Sequence, residues 1–137
     1  MEIRVLGPGD DELVTAAAHL FDGPALSDAT ERFLAAPGHH LVLAFEGERA
    51  VGFISGIEVT HPDKGTEMFL YELAVDEPWR RRGIGRALVE ALAAIAQRAG
   101  CYGMWVVTDR NNAAARSTYE GTGGVPEMDQ VVEVWTF

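Results

Sequence analysis

The sequence predicts an α/β (α+β) domain in which helices pack against a mixed sheet. β-rich runs alternate with segments of helical periodicity, and two runs in the middle of the chain are joined by a short polar turn typical of a hairpin. The chain has 137 residues, of which 23% are charged and 47% hydrophobic, as expected for one soluble globular domain. Because it contains no internal repeat and no low-complexity linker, we expect residues 1–137 to form a single domain.

The first third of the chain predicts one strand and two helices. The strand covers residues 3–6 and ends at Gly7-Pro8. A helix capped by Asp10 or Asp11 follows, because its apolar residues recur at helical spacing. These residues are Leu13, Val14, Ala17, Leu20 and Phe21. A second, shorter helix begins at Asp28 and ends before Pro37-Gly38.

The remainder predicts five further strands, two of which form a hairpin, and two helices. The strands are residues 41–45, 51–59, 67–75, 103–108 and, at the end of the chain, 131–137. Residues 41–45 and 51–59 form the hairpin. A long helix begins near Arg82 and stops at Gly100, and its apolar stripe carries Ile84, Leu88, Leu92 and Ile95. The last helix is capped by Asn111 or Asn112.

The composition of the chain argues against several kinds of partner, cross-link and cofactor. The 21 acidic residues outnumber the 11 Lys and Arg, and the net charge of -10 argues against binding of nucleic acid or of an anionic membrane. Cys101 is the only cysteine, so no internal disulfide forms. The spacing of the four histidines gives no metal site. Without an apolar run of membrane-spanning length or a leader-like start, we expect a cytoplasmic protein.

A basic, glycine-containing segment between the third strand and the long helix predicts an anion site. It contains Arg80, Arg81, Arg82, Gly83, Ile84, Gly85 and Arg86. The first turn of a helix presents free amides and the positive end of the helix dipole, and glycines let an anion approach them closely. Arginines at this end oppose the dipole unless an anion is bound, which argues against a role in the turn alone. The motifs of nucleoside-triphosphate and dinucleotide loops are both missing.

Two motifs together resemble the GNAT acyltransferase superfamily. One is Arg-x-x-Gly-x-Gly at the start of the long helix, and the other is the pattern of Asn112, Ala115, Tyr119 and Gly123 in the last helix. The resemblance implies a mixed, mostly antiparallel sheet flanked by about four helices, with acetyl-CoA as the acyl donor. The residues it implies for acetyl-CoA binding are Leu73, Ala74, Val75, Arg80, Arg81, Arg82, Gly83, Ile84, Gly85, Arg86, Asn112 and Tyr119. The pantetheine arm would pair with residues 73–75, and the amide near Val75 would face the thioester oxygen.

The stretch FLYELAVDEPWRRRGIGRALVEAL resembles the type I aminoglycoside 3-N-acetyltransferases within that superfamily. This resemblance implies acetylation of the 3-amino group of an aminoglycoside by direct attack in a ternary complex. Asp109 and Glu127 fall where that group carries acids. Alternative acceptors are a polyamine, a small metabolite or a protein amine, and a third reading is a non-catalytic acyl-CoA sensor. The apolar last strand and the edge strands predict a homodimer.

Three side chains are the predicted catalytic groups. Glu72 interrupts the apolar run of residues 68–75, where burial of a carboxylate costs free energy unless it is paired or hydrogen-bonded. We therefore interpret Glu72 as the general base and as a contact for the cationic substrate. Asp109 follows a strand and is a second anchor that shares the base role, or else a turn residue. Tyr119, by resemblance, protonates the coenzyme thiolate, and the alternative is a tyrosine of the core. Asp28 is a predicted substrate contact, with a solvated helix surface as the alternative.

Overall fold

The computed structural model describes all residues, 1–137, and contains one five-stranded sheet in the order β1-β2-β3-β4-β5. The strands are β1 (Glu2–Val5), β2 (His39–Glu46), β3 (Arg49–His61), β4 (Gly65–Val75) and β5 (Met104–Val106). The first four strands are antiparallel neighbours, whereas β4 and β5 are parallel. The mixed, mostly antiparallel sheet is therefore confirmed.

Four helices flank the sheet, as predicted. They are α1 (Asp11–Ala16), α2 (Ser27–Ala35), α3 (Ile84–Arg98) and α4 (Ala113–Gly121). Helix α4 begins where the sequence predicts a cap, because the Asn112 Oδ1 atom accepts a hydrogen bond of 3.1 Å from the Ala115 amide. None of the helices is long and apolar enough to cross a membrane.

The sheet has a hydrophobic core on each face. Alternation along β2 sends Val42 and Ala44 to the α3 face, and Leu41 and Leu43 to the face that α1 and α2 cover. On the α3 face the buried partners from the helix are Ile84, Leu88, Val89, Leu92, Ile95 and Ala96. On the other face the buried partners are Leu6, Val14, Ala17 and Leu34. The chain thus forms two layers of helix around one sheet.

A β-bulge in β4 reverses which face its side chains take. Ser55 pairs with Glu72 and Gly56 pairs with Leu70, so Tyr71 has no partner residue in β3. Before the bulge the even-numbered residues, such as Leu70, pack against α3; after it, Leu73 packs there instead. Glu72 is therefore turned toward the α1 and α2 face.

The first predicted helix is shorter than expected. Helix α1 ends at Ala16, and a 3-10 turn, Ala18–Leu20, replaces its second half. Asp10 is the N-cap residue of α1, as predicted, but its side chain accepts from the Gly7 amide at 2.8 Å and not from an amide of the helix. The tighter turn places Phe21 against β3, where its ring contacts the Phe53 ring edge-to-face. The two ring centroids are 4.8 Å apart.

The prediction of a final strand at residues 131–137 is wrong. These residues pair with no strand of the chain, and their apolar side chains are exposed, with Val131 at 82% and Trp135 at 75%. An alternating apolar pattern makes a segment able to form a strand, but a strand exists only where a neighbour supplies hydrogen bonds. The adjacent edge strand, β5, is only three residues long and pairs with β4 alone.

Candidate functional site

A cavity of about 410 Å³ opens on the α1 and α2 face of the sheet, and we name it the Glu72 cavity. Its lining residues are Val14, Phe21, Ala25, Ala29, Thr30, Phe33, Leu34, His39, Leu41, Phe53, Ser55, Ile57, Tyr71 and Glu72. Its volume lies within the range of roughly 300 to 1,000 Å³ that is typical of small-molecule sites. The bulge places two consecutive residues of β4, Tyr71 and Glu72, in its wall.

The environment of Glu72 favours the protonated form of its carboxyl. Burial raises the pKa of its carboxyl above the ordinary value of 4.5, and the nearby negative charge of Asp22 raises it further. No protein group donates a hydrogen bond to this carboxylate or forms an ion pair with it. Its oxygens are therefore free to accept a proton from a bound cation.

Ser55 faces Glu72 across the β3 and β4 ladder and is the one buried polar side chain without a partner. Only 7% of the residue is exposed, and no protein atom bonds its Oγ atom. Buried hydroxyls are nearly always hydrogen-bonded. An unpaired hydroxyl in the wall of a cavity is therefore a candidate contact for a ligand.

The anion site predicted at the start of α3 has the geometry of a phosphate cradle. The backbone amides of residues 81–86 donate no hydrogen bond within the protein, and the first bond of the helix runs from the Ala87 amide to the Gly83 carbonyl at 3.0 Å. Gly83 has a φ of 81° and Arg81 has a φ of 62°, both in the left-handed region. Six unpaired amides beside a helix terminus fit the diphosphate of acetyl-CoA.

The four arginines of this segment differ in what they contact. Arg80 Nε donates to the Val75 carbonyl at 3.0 Å, and Arg86 Nε pairs with Glu90 at 2.9 Å. Arg82 lies over the Trp79 ring at 4.8 Å. Arg81 and Arg82 form no ion pair with a carboxylate, so their charges are available to phosphate, whereas Arg80 holds the loop against β4.

An open strand edge adjoins the cradle. Strand β5 pairs only with residues 68–70, so residues 71–75 of β4 have β3 on one side and no strand on the other. A Cβ atom built on Gly85 would lie 3.6 Å from Thr118 of α4 and 3.7 Å from Val75. The cradle, the end of β4 and α4 therefore meet at this edge, which can accept an extended ligand as an added strand.

Tyr119 lies on the α3 side of the sheet. It is partly buried against the α3 core, and burial raises the pKa of its phenol above 10. Its hydroxyl has no hydrogen-bond partner in the protein. Glu72 and Tyr119 thus stand on opposite faces, separated by the open edge of β4. The Asn112 side chain caps the first turn of α4.

The remaining predicted substrate contacts lie outside the cavity lining. Asp109 is exposed in the loop after β5, where its carbonyl accepts from the Asn112 amide at 3.0 Å. Glu127 is exposed in the segment after α4. Asp28 is exposed on α2, next to the lining residue Ala29.

Sequence reasoning did not select Ser55 or the aromatic walls of the cavity. Gly56, a glycine inside a predicted strand, is the one local signal for the irregularity that follows Ser55. A Cβ atom at Gly56 would lie 2.8 Å from Leu92, so glycine also permits the close approach of α3. The aromatic residues that meet in the cavity come from four separate elements and carry no common motif.

The family profile matched by this sequence is one of acetyltransferases, and two known proteins that resemble it are also acetyltransferases. The acetyltransferase (GNAT) family profile matches residues 11–123. N-acetyltransferase family 8 member 2 of Rattus norvegicus is 32% identical over 99 residues, which are 72% of this chain and 43% of that protein. The ribosomal protein bS18-alanine N-acetyltransferase of Escherichia coli strain K12 is 39% identical over 57 residues, or 42% of this chain and 38% of that enzyme. The chain thus spans less than half the length of these two relatives.

Solved structures share the fold. An aminoglycoside acetyltransferase from an uncultured soil metagenomic sample, meta-AAC0020, solved in complex with sisomicin, aligns with a TM-score of 0.90 and 21% identity, covering 99% of this chain and 95% of that one. The aminoglycoside N-acetyltransferase AAC(6')-Iy, solved with CoA, aligns with a TM-score of 0.78 and 21% identity, covering 98% and 93%. At these identities the likeness establishes the fold alone.

Proposed function

Because the chain belongs to the acetyltransferase (GNAT) family, we propose that it transfers an acetyl group from acetyl-CoA to a primary amine held beside Glu72. The observation that carries the proposal is the position of this carboxylate, in a cavity wall one residue past the bulge and at the open edge of β4. When bound, acetyl-CoA supplies the activated acetyl group. The acyl donor and the acceptor would approach the edge from opposite faces of the sheet.

The reaction requires that protons move in a definite order. The ammonium first loses one proton to Glu72, and the resulting amine attacks the thioester carbonyl, so that a nitrogen–carbon bond forms. The nitrogen would then lose a second proton to water as the carbon–sulfur bond breaks, and Tyr119 would donate a proton to the departing thiolate. Glu72 then releases its proton to solvent, and the Tyr119 phenolate takes one up from solvent. Two protons leave nitrogen and one ends on sulfur, so the net release to solvent is one proton. The amide near Val75 would stabilise the oxyanion.

The unpaired amides of residues 81–86 support binding of the diphosphate, with Arg81 and Arg82 neutralising its charge. Residues 73–75 would pair with the pantetheine arm along the open edge. Arg80 would act by fixing the loop to Val75. Asn112 would act through the start of α4, on which Tyr119 lies.

The acceptor that the sequence resemblance supports is an aminoglycoside, acetylated at its 3-amino group. Under this proposal Asp109, Glu127 and Asp28 would contact further ammonium groups of the antibiotic. The alternatives are a polyamine, a small metabolite or a protein amine, and the similarity to a ribosomal protein alanine N-acetyltransferase supports the last of these. The walls of the Glu72 cavity favour a second candidate, an amine without many polar groups.

The test is release of free coenzyme thiol from acetyl-CoA across a panel of amines, with the acetylated product identified by mass spectrometry. We expect Glu72→Gln to lower kcat by about 10²- to 10⁴-fold, the usual contribution of a general base. The matched control is Glu67→Gln, which changes a carboxylate of the same strand that is bonded to Tyr102 outside the cavity. An acyl-CoA sensor would bind acetyl-CoA and release no thiol with any amine.

A further inference from the structure

The walls of the Glu72 cavity are mostly hydrophobic. Ten of its fourteen lining residues are apolar or aromatic. A ligand inside the cavity therefore contacts few groups that can replace its hydrogen bonds to water. Four aromatic rings line it, from Phe21, Phe33, Phe53 and Tyr71. The Phe21 and Phe53 rings are in edge-to-face contact, with their centroids 4.8 Å apart.

The polar groups of the cavity are few. Four lining residues are polar: Thr30, His39, Ser55 and Glu72. Ser55 and Glu72 face each other on neighbouring strands, and both line the cavity. His39 holds its ring edge-on against Phe33 at 5.3 Å. Asp22, beside the lining residue Phe21, adds a second negative charge near Glu72.

We propose, on the basis of the acetyl transfer proposed above, that the acceptor is a primary amine carried on an aromatic or aliphatic body. The body fills the space between α2 and the sheet, and its ammonium lies between the Glu72 carboxylate and the Ser55 hydroxyl. Ser55 Oγ accepts one N–H bond of the ammonium, which satisfies a hydroxyl that otherwise has no partner. The acidic end of an apolar cavity thus selects a cation with a single charge on an apolar group.

A polyhydroxylated polycation fits this cavity poorly. Each ammonium or hydroxyl group that enters it loses water, and the apolar wall offers no hydrogen bond in return. The acidic residues that could serve such a ligand, Asp28, Asp109 and Glu127, are exposed and lie outside the lining. An apolar body gains from the same burial that a polar body opposes.

The test compares primary amines of graded polarity in the thiol-release assay with the 137-residue protein and acetyl-CoA. The probes are 2-phenylethylamine, the linear series from propylamine to hexylamine, ethanolamine, spermidine and sisomicin. We expect kcat/KM to rise about fourfold for each added methylene, as burial of a methylene group predicts. We expect 2-phenylethylamine to exceed spermidine and sisomicin by at least about tenfold.

A matched pair of variants links this preference to the cavity. Ala29 and Ala35 are both exposed alanines of α2, but only Ala29 lines the cavity. We expect Ala29→Glu to lower kcat/KM for 2-phenylethylamine by about tenfold or more and to spare or raise the value for spermidine. Ala35→Glu should leave both values near those of the unsubstituted protein. The KM for acetyl-CoA should be unchanged in both variants.

The outcomes separate the two proposals. Faster acetylation of sisomicin or spermidine than of any apolar amine, unaffected by Ala29→Glu, overturns the apolar acceptor and leaves the acetyl transfer standing. Thiol release that is equal for all amines also overturns it. Failure of every amine to release thiol, although calorimetry shows acetyl-CoA bound, overturns the proposed function, and the acceptor assignment falls with it.

Discussion

Ser55 lies directly opposite Glu72 in the β3 and β4 ladder, and both side chains enter the same cavity wall because a bulge at Tyr71 shifts the register. Without the extra residue, Glu72 would share a face with Met68 and Leu70, in the core beneath α3. A single inserted residue therefore turns a carboxylate that would be buried without a partner into one that faces the Glu72 cavity.

Glu72→Gln should stabilise the fold at neutral pH while it removes activity. The raised pKa of Glu72 means that the folded protein binds this proton more tightly than the unfolded chain does. Its contribution to stability is therefore fully present below pH 4.5 and is lost as the pH rises through the raised value. Thermal unfolding should show a variant Tm at or above that of the parent at pH 7, with the difference disappearing near pH 4. A Tm that falls at pH 7 would mean that the carboxylate has a favourable partner.

Ser55→Ala should leave the free energy of unfolding unchanged or raise it by about 1 kcal/mol, because a buried hydroxyl without a partner costs about 1–3 kcal/mol. The same change should raise the KM for the amine several-fold and leave the KM for acetyl-CoA unaltered. Urea unfolding and steady-state kinetics measure the two effects. A marked loss of stability would show that the hydroxyl already has a partner in the fold.

Gly83→Ala should raise the KM for acetyl-CoA about tenfold, since alanine resists the left-handed φ of 81° that presents the loop amides. The control is Gly100→Ala, at the other end of α3, where φ is 80° and an added Cβ atom also meets nothing. Both variants should lose about 1 kcal/mol of stability. Only the first should weaken acetyl-CoA binding, as measured by calorimetry. Equal binding in the two variants would remove the loop from the site.

Tyr119→Phe should lower kcat by about 10²-fold or more and leave the KM for acetyl-CoA nearly unchanged, because the change removes only the proton donor. The raised pKa of Tyr119 keeps the phenol protonated across neutral pH, so the parent enzyme should lose activity only above pH 10. The pH dependence of kcat measures this. A variant with the parent's kcat would assign protonation of the thiolate to water.

Removal of residues 131–137 should leave the Tm within a few degrees of the parent at concentrations where both proteins are monomeric, because these residues pair with no strand and are exposed. The exposed apolar side chains, among them Val131, Val134 and Trp135, form the surface on which the predicted homodimer would depend. Light scattering should then give twice the chain mass for the 137-residue protein and the single mass for the truncated one. A monomeric 137-residue protein would contradict the dimer.

The elements that the sequence predicted correctly depend on local signals. The hairpin follows from two β-rich runs and a polar turn, and α3 follows from an apolar stripe between Gly83 and Gly100. The Asn112 cap follows from one side chain and the amides three residues away. Such features need only neighbouring residues, so a single sequence contains them.

The features that the sequence missed depend on partners far along the chain. Residues 131–137 have the pattern of a strand, yet no edge of the sheet pairs with them. The bulge at Tyr71 depends on the pairing with Ser55 and Gly56, which lie sixteen and fifteen positions earlier. Sequence reasoning identified Glu72 because a carboxylate interrupts an apolar run, but the face on which it lies depends on this pairing.

The most direct test of the account is the rate of thiol release by Glu72→Gln across the pH range, with Glu67→Gln as the control. We predict that the parent and the control gain activity as the pH rises through the raised pKa of Glu72, and that Glu72→Gln shows no such rise. The kcat of Glu72→Gln should fall by about 10²- to 10⁴-fold, and this variant should still bind acetyl-CoA. A Glu72→Gln protein with the parent's kcat and pH profile would contradict the assignment of this carboxylate as the base.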